Sequence, residues 1–321
     1  MRIDIVLPIA KVAATGNRTT AERLRRLFAG LHETRLRRRW THGRAEVLIA
    51  LHAVRSGASI EAWARRRKGA RLVVVLTGTD IYGGDPRQAV VLERSLASAW
   101  RIVALQEDAA ARVPRRHAAR VRVIVQSAQL PRCARFVAAR SAPEIAREVV
   151  ALSHVREVKD PLLLARAMQR LPTDVALSAV HIGASLDDEL ARACAERASE
   201  RWRWIGERPR CVALRRLARA RALVLTSRSE GGPSVLAEAA LLGRPILASR
   251  TGGATGMLGP DHPGLFEPGD EQHLASLLER LARDEHFVRE LADRSRALAA
   301  RFAPERELAA WRALLAEPTE S

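Results

Sequence analysis

The chain has 321 residues, 47% apolar and 28% charged, with a formal net charge of +18 at pH 7. That composition excludes wholesale disorder, and at ~100–200 residues per domain the length fits two or three domains. Its three cysteines, Cys133, Cys194 and Cys211, form no CxxC pair, which argues against a disulfide framework or a zinc ribbon and for a reducing, cytoplasmic setting. No run of ~18 apolar residues occurs, so no membrane insertion is expected, and the interrupted apolar run at 1–8 is too short for a signal peptide. Only Lys11, Lys68 and Lys159 are lysine; the other 51 basic residues are arginine. So one-sided a choice, with abundant alanine, reads as a coding bias toward G and C, so the charge is discounted and a retained lysine is the more informative cation. Aromatic residues are 4% of the chain and no helix-turn-helix or RNA-binding signature occurs, so nucleic acid is only a remote alternative partner.

In chain order, apolar strand runs at 3–7, 47–51, 72–76, 101–105 and 121–125 alternate with helical spacings at 19–31, 60–67 and 87–99. A weaker stretch, 126–143, contains Pro131 and Pro143 and marks a domain boundary. The alternation then restarts. Strands are expected within 145–152 and at 175–182, 202–205, 222–226 and 245–249, with a short apolar run at 264–266. Helices are expected at 161–171, 187–200, 212–219, 233–242 and 270–283. A detached amphipathic helix at 304–315 ends the series. Strands alternating with helices predict parallel βαβ units in two α/β halves. Ligands of such sheets bind at the carboxyl ends of the strands.

The most informative segment is 227–238, between the strand at 222–226 and the helix that follows. Gly231 and Gly232 allow close backbone approach, and Pro233 suits a first helical turn. Ser234 and Val235 then offer helix N-terminal N–H groups to an anion such as a diphosphate. Glu238 lies one turn further on the same face, where a carboxylate can accept from a ribose diol, and Glu230 can reach a sugar hydroxyl. Upstream, His154, Arg156 and Lys159 follow another strand and place cations where negative charge grows on a leaving diphosphate. In the first half, Gly16, Asn17, Arg18 and Thr19 open a helix as a candidate anion site, with Asn17 or Thr19 as its cap. His52, Thr77, Thr79 and Asp80 end two strands; His52 is a candidate proton carrier or anion ligand, and Asp80 could equally be a helix cap. No GxGxxG occurs. Asp187-Asp188-Glu189 reads as a helix start rather than a metal motif.

Glu230 and Glu238, with seven residues between them, resemble the E-x7-E motif of the family-4 glycosyltransferases, and Ala239 to Ala248 resembles the segment that follows it there. The loop from Ser153 to Pro161 resembles that family's donor-diphosphate loop, with His154 where many relatives have Arg. Gly-Asn-Arg-x-Thr-Ala at 16–21, Leu-His-Ala at 51–53, Leu-Thr-Gly-Thr-Asp-x-Tyr at 76–82, Gln-Ser-Ala at 126–128 and Val-Lys-Asp-Pro at 158–161 occur in one order. His-Ile-Gly-Ala-Ser-Leu-Asp at 181–187, Trp-Ile-Gly-Glu at 204–207, Ser-Glu-Gly-Gly at 229–232 and the tail at 310–316 continue it. Together they resemble the selenosugar synthase branch of these enzymes, acting in selenoneine biosynthesis. Residues 234–235 and 251–254 depart from what close relatives carry, and residues 11–15 are variable.

The resemblance implies a GT-B fold: two Rossmann-like α/β domains, at 1–140 and 141–302, whose parallel sheets face a cleft, and a C-terminal helix, 303–321, crossing back to the first. It implies a UDP-sugar donor, UDP-N-acetylglucosamine or UDP-glucose, with selenophosphate as acceptor. A C–Se bond is formed with retention and without a protein nucleophile, a metal or another cofactor. It places Arg156, Lys159, Glu230 and His52 at the chemistry. Gly16, His154, Arg156, Lys159, Glu207, Glu230, Gly231, Gly232, Ser234, Val235 and Glu238 bind the donor. Asn17, Arg18, Thr19, His52, Thr77, Thr79 and Asp80 bind the acceptor. A family-4 transferase with a thiol, hydroxyl or lipid acceptor is the alternative.

Overall fold

The computed structural model describes residues 1–7, 16–67, 69–83 and 85–319. The variable loop and the lysines at 11 and 68 lie outside them. The chain forms two compact units, Met1–Gln126 with Pro304–Ser321, and Ser127–Ala303.

The first unit is built on strands β1 (Arg2–Val6), β2 (Glu33–Arg37), β3 (Val47–Leu51), β4 (Arg71–Leu76), β5 (Arg101–Ala104) and β6 (Val121–Val123). All neighbours pair in parallel, in the order β2-β1-β3-β4-β5-β6. The run Val-Leu-Ile-Ala-Leu of β3 is buried throughout, as expected of a strand covered on both faces. One apolar layer gathers Leu48, Val74, Ile102 and the edge-to-face pair Trp40–Trp63. The other gathers Ile5, Ile49 and Val73 with Leu24 of the helix Gly16–Leu27, Phe28 just after it, and Trp311, Leu314 and Leu315 of the helix Pro304–Ala316. That last helix is fixed by more than apolar contact. Glu307, 3% exposed, receives Arg23 on both carboxylate oxygens, and Glu317 receives Arg101 at 2.5 Å and Arg122 at 2.8 Å.

The second unit carries β7 (Glu148–Leu152), β8 (Ser178–Ile182), β9 (Trp202–Trp204), β10 (Ala222–Leu225), β11 (Ile246–Ser249) and β12 (Leu265–Phe266). They too are parallel, in the order β12-β11-β10-β7-β8-β9. The helices Pro161–Gln169, Glu271–Arg283 and Glu285–Ala299 bury Leu163, Leu164, Leu274, Leu278, Phe287 and Leu291 in a single core with this sheet.

Three sequence expectations are corrected here. β2, Glu-Thr-Arg-Leu-Arg, has no apolar run because it is an edge strand, and it was not anticipated. Residues 127–140, assigned to the first half, group with the second unit because the helix Arg132–Ala138 packs on the helix Arg210–Leu217. That packing also bears on the argument against a disulfide framework and for a reducing setting: Cys133 and Cys211 form one disulfide, with Cα atoms 6.8 Å apart, leaving Cys194 free and buried.

Both sheets reverse their direction of winding once. In the first unit the chain leaves β1 for β2 on one side and then crosses to β3 on the other. In the second unit β7 leads outward through β8 and β9, and β10 leads the opposite way through β11 and β12. The carboxyl ends of β1 and β3, and the loops after β7 and β10, therefore flank topological switch points, where open parallel sheets bind ligands.

Candidate functional site

In the second unit the loops after β7 and β10 are tied together at the switch point. Thr226 donates its hydroxyl to the Lys159 carbonyl at 2.8 Å, and the Arg228 N–H donates to the Val158 carbonyl at 2.8 Å. Lys159 ends a short 3-10 turn and its ammonium pairs with Glu230 Oε1, side chains 15% and 9% exposed. Ser227 donates to the same oxygen at 2.5 Å. Asp160, next in the chain, has φ of 39°, a left-handed conformation uncommon outside glycine, and is held there by Arg228 at 2.9 Å and Arg166 at 3.6 Å. That strained residue turns the chain from the Lys159 loop into the helix Pro161–Gln169.

The start of the same loop is fixed from β8. His181 is buried, which pushes its imidazole down to about 4, so the ring is neutral and its Nε2–H donates to the Ser153 carbonyl at 2.8 Å. Gly183 lies against the same carbonyl: a Cβ there would stand 2.0 Å from it. Val155 bridges to Ser185, and Arg156 follows as the residue before the 3-10 turn.

After Glu230, Gly231 and Gly232 lead to Pro233, which occupies the cap position of the helix Ser234–Leu241 rather than its first turn and offers no side-chain cap. The first backbone bond into this helix comes from the Leu236 N–H to the Pro233 carbonyl at 3.0 Å. The N–H groups of Ser234 and Val235 thus precede the helix's own hydrogen bonding, at the positive end of its dipole. Glu238 follows one turn later. Burial raises its pKa, opposed by Arg210, whose guanidinium donates to Oε1 at 2.6 Å. Glu207, expected among the donor residues, lies exposed beyond the edge strand β9, and its carboxylate meets no described residue. Asp187 caps the helix Asp188–Glu196, accepting from the N–H groups of Glu189 and Leu190. Among the described residues, no group of three His, Cys, Asp or Glu stands where it could hold a metal ion.

In the first unit, the switch point carries the helix Gly16–Leu27 and His52. Asn17 and Thr19 lie inside the first turn instead of capping it, because the helix already begins at Gly16. Arg18 meets Glu22 at 2.8 Å on the exposed face. His52 has φ of 68°, a left-handed position rare for a side chain of its size. Its Nδ1 accepts the Arg55 N–H at 3.2 Å, so Nε2 bears the proton of the neutral ring and faces Thr79 Oγ1 at 3.0 Å. Burial keeps the ring neutral by lowering its pKa, partly opposed by the nearby Asp80. Both nitrogens are engaged, so His52 fixes the Thr79 hydroxyl rather than presenting a spare base. Asp80, 3% exposed, accepts the N–H groups of Ala53 at 2.9 Å, Gly78 at 2.8 Å and Thr77 at 3.1 Å. Its lone pairs staple the turns after β3 and β4. Among the described residues Thr77 Oγ1, which is buried, has no hydrogen-bond partner, and Thr79 is exposed.

The sequence profile of the glycosyl transferases group 1 matches residues 137–298, just over half of the chain and almost all of the second unit. The chain belongs to this family. No curated protein matches it in sequence. Among solved structures, it is similar to sucrose-phosphate synthase from Thermosynechococcus elongatus, with a TM-score of 0.80, 16% identity and 98% of each chain covered. It is also similar to HepE of Anabaena in complex with UDP and glucose, with a TM-score of 0.73, 16% identity, and 98% of this chain and 99% of that one covered. TarM of S. aureus, in complex with Fondaparinux, alpha-GlcNAc-glycerol and UDP, has a TM-score of 0.66 at 16% identity, with 84% of this chain and 55% of that one covered. At such identities the likeness is one of fold, and the fold is GT-B.

Two residues of this glycosyltransferase that sequence reasoning left out support the site. Arg210 carried no signal, being one arginine among many. Gly253 sits in the segment 251–254 that departs from the resemblance, and its N–H donates to the Glu230 carbonyl at 3.0 Å. A Cβ on Gly253 would stand 2.4 Å from that carbonyl oxygen and 3.0 Å from Glu230 Cβ. Gly253→Ala therefore has to displace either Glu230 or the helix Gly252–Leu258. We expect a loss of about 100-fold in turnover with the secondary structure intact, since a misplacement of ~1 Å costs about that much. Steady-state rates beside far-ultraviolet circular dichroism check it, and an unchanged rate would show that the Glu230 backbone has room to yield.

Proposed function

We propose that this glycosyltransferase transfers a hexosyl group from a uridine diphosphate sugar, UDP-N-acetylglucosamine or UDP-glucose, to selenophosphate. The observation that carries the donor half is the ion pair between Lys159 and Glu230, 71 positions apart, at the switch point and four positions before the helix Ser234–Leu241, whose start has no side-chain cap. A diphosphate on the Ser234 and Val235 N–H groups has Lys159 and Arg156 as its cations, Glu230 faces the sugar, and Glu238 takes the ribose diol. HepE and TarM holding UDP on the same fold support a uridine nucleotide. The acceptor rests on the run of motifs from residue 16 to residue 316 that resembles the selenosugar synthases. In the first unit, Arg18, the first turn of the helix Gly16–Leu27 and the Thr79 hydroxyl are the groups suited to an anionic acceptor.

In the reaction the bond from the sugar's anomeric carbon to the diphosphate oxygen breaks, and its electron pair leaves with UDP. A selenium lone pair forms the new C–Se bond, and the phosphate stays on selenium. Selenophosphate is already an anion, so no side chain has to deprotonate it. The second unit's task is to stabilise the charge gathering on the leaving diphosphate with preorganised cations and N–H groups.

The test is an anaerobic incubation with UDP-N-acetylglucosamine or UDP-glucose and selenophosphate, followed by mass spectrometry, with thiophosphate and no-acceptor controls. A sugar mass bearing the selenium isotope pattern, formed with one UDP per product, is the expected result. UDP-sugar turnover seen only with a thiol, hydroxyl or lipid acceptor would remove selenophosphate and keep the donor assignment. Failure to bind any nucleotide sugar would remove both.

A further inference from the structure

We propose that Arg210 is a positioning residue of the donor site, holding Glu238 by one carboxylate oxygen so that the other is presented to a vicinal diol. The inference rests on the reading of Glu238 as the ribose ligand and adds what makes that carboxylate fit for it. Arg210 opens the helix Arg210–Leu217, and one of its guanidinium nitrogens donates both to Glu238 Oε1 at 2.6 Å and to the Gln129 carbonyl at 2.8 Å. Glu238 Oε2 accepts from no described residue. The carboxylate is 13% exposed while the arginine is 54% exposed, so the arginine reaches in from solvent to a carboxylate that the fold has largely buried.

Burial alone favours the protonated acid. A protonated carboxyl carries one donor and presents fewer lone pairs, so it is poorly matched to a diol that offers two O–H groups. Arg210 is the counter-charge that opposes burial. It also fixes the carboxylate plane, because Oε1 is committed. The guanidinium is in turn anchored at both ends. Its own backbone starts a helix, and the Gln129 carbonyl belongs to the segment leading into the helix Arg132–Ala138, which the Cys133–Cys211 disulfide joins to the residue after Arg210.

The experiment is calorimetric titration of the full chain with UDP and with the dideoxy analogue lacking both ribose hydroxyls. It compares the parent with Arg210→Ala, Arg210→Lys and Glu238→Gln. The parent should prefer UDP by about 100-fold, as expected for two hydrogen bonds to a charged acceptor. Arg210→Ala should weaken UDP by about 10-fold or more and leave the analogue within about 3-fold, and Arg210→Lys should recover most of the preference. If Arg210→Ala weakens both nucleotides equally, or neither, while Glu238→Gln removes the preference, the arginine proposal is overturned and Glu238 keeps its role. If Glu238→Gln leaves the preference intact, the diol reading falls, and the proposal for Arg210 with it.

Discussion

Lys159→Ala should lower turnover of the UDP-sugar about 1,000-fold, the upper range for removing one preorganised charge-stabilising group. The lysine is held where its charge counts. Its carbonyl accepts the Thr226 hydroxyl, its ammonium pairs with Glu230, and the left-handed Asp160 turns the chain immediately after it. A group fixed in this way loses little freedom when a diphosphate arrives, so its effect should be expressed as the leaving charge grows. The diagnostic is therefore the split between kcat and KM. If Lys159 acts on the transition state, kcat and kcat/KM fall together; if it only binds donor, KM rises and kcat stays. Lys159→Arg keeps the charge but exchanges a compact ammonium for a planar fork, and should retain activity about 10-fold below the parent. An alanine variant with parental kcat would remove Lys159 from the chemistry and leave the pair with Glu230 as a structural tie.

The types of residue at this site were legible in the sequence, whereas their pairings were not. Two glutamates with seven residues between them, a Gly-Gly turn and a retained lysine each point to an anionic donor. No spacing rule, however, joins Lys159 to Glu230 across 71 positions. That join comes from sheet order, which puts β10 beside β7 although β8 and β9 intervene in the chain. Asp80 shows the converse. At a strand end it resembled a ligand, but three backbone N–H groups already occupy it, and such local stapling leaves no mark in sequence. The helix Glu285–Ala299 does carry a sequence mark, since Asp284 caps it and Phe287, Val288, Leu291 and Ala292 recur at helical spacing, but it follows the helix Glu271–Arg283 with only Asp284 between them, so the two read as one amphipathic stretch. β2 could not be read from hydrophobicity at all, since its five residues are half-buried or exposed. Arg210 was invisible because a chain so rich in arginine gives no weight to any one of them.

Glu307→Ala should destabilise the first unit by about 3–5 kcal/mol, the cost of breaking a buried ion pair on one side. Glu307 is 3% exposed, and Arg23 meets both its oxygens. Arg23 also donates to Gln126 Oε1 at 2.8 Å, and Thr20 donates to the same atom at 3.0 Å. Removing the carboxylate leaves a guanidinium, 14% exposed, without its anion. It also loosens the helix Pro304–Ala316, whose Trp311 stands edge-to-face on Phe28 at 5.7 Å. A chain of two units need not unfold in one transition, so a single midpoint is the wrong observable. Native-state hydrogen exchange resolves them: amides of β1 and β3 should lose protection by the stated amount, while those of β8 and β10 keep theirs. Replacing both partners by apolar residues, Arg23→Met with Glu307→Leu, should recover most of the loss, because a well-packed apolar pair avoids the desolvation that the ion pair has to offset. Equal loss of protection in both sheets would contradict the assignment of the C-terminal helix to the first unit's core, and no loss at all would mean that water reaches Arg23 once the carboxylate is gone.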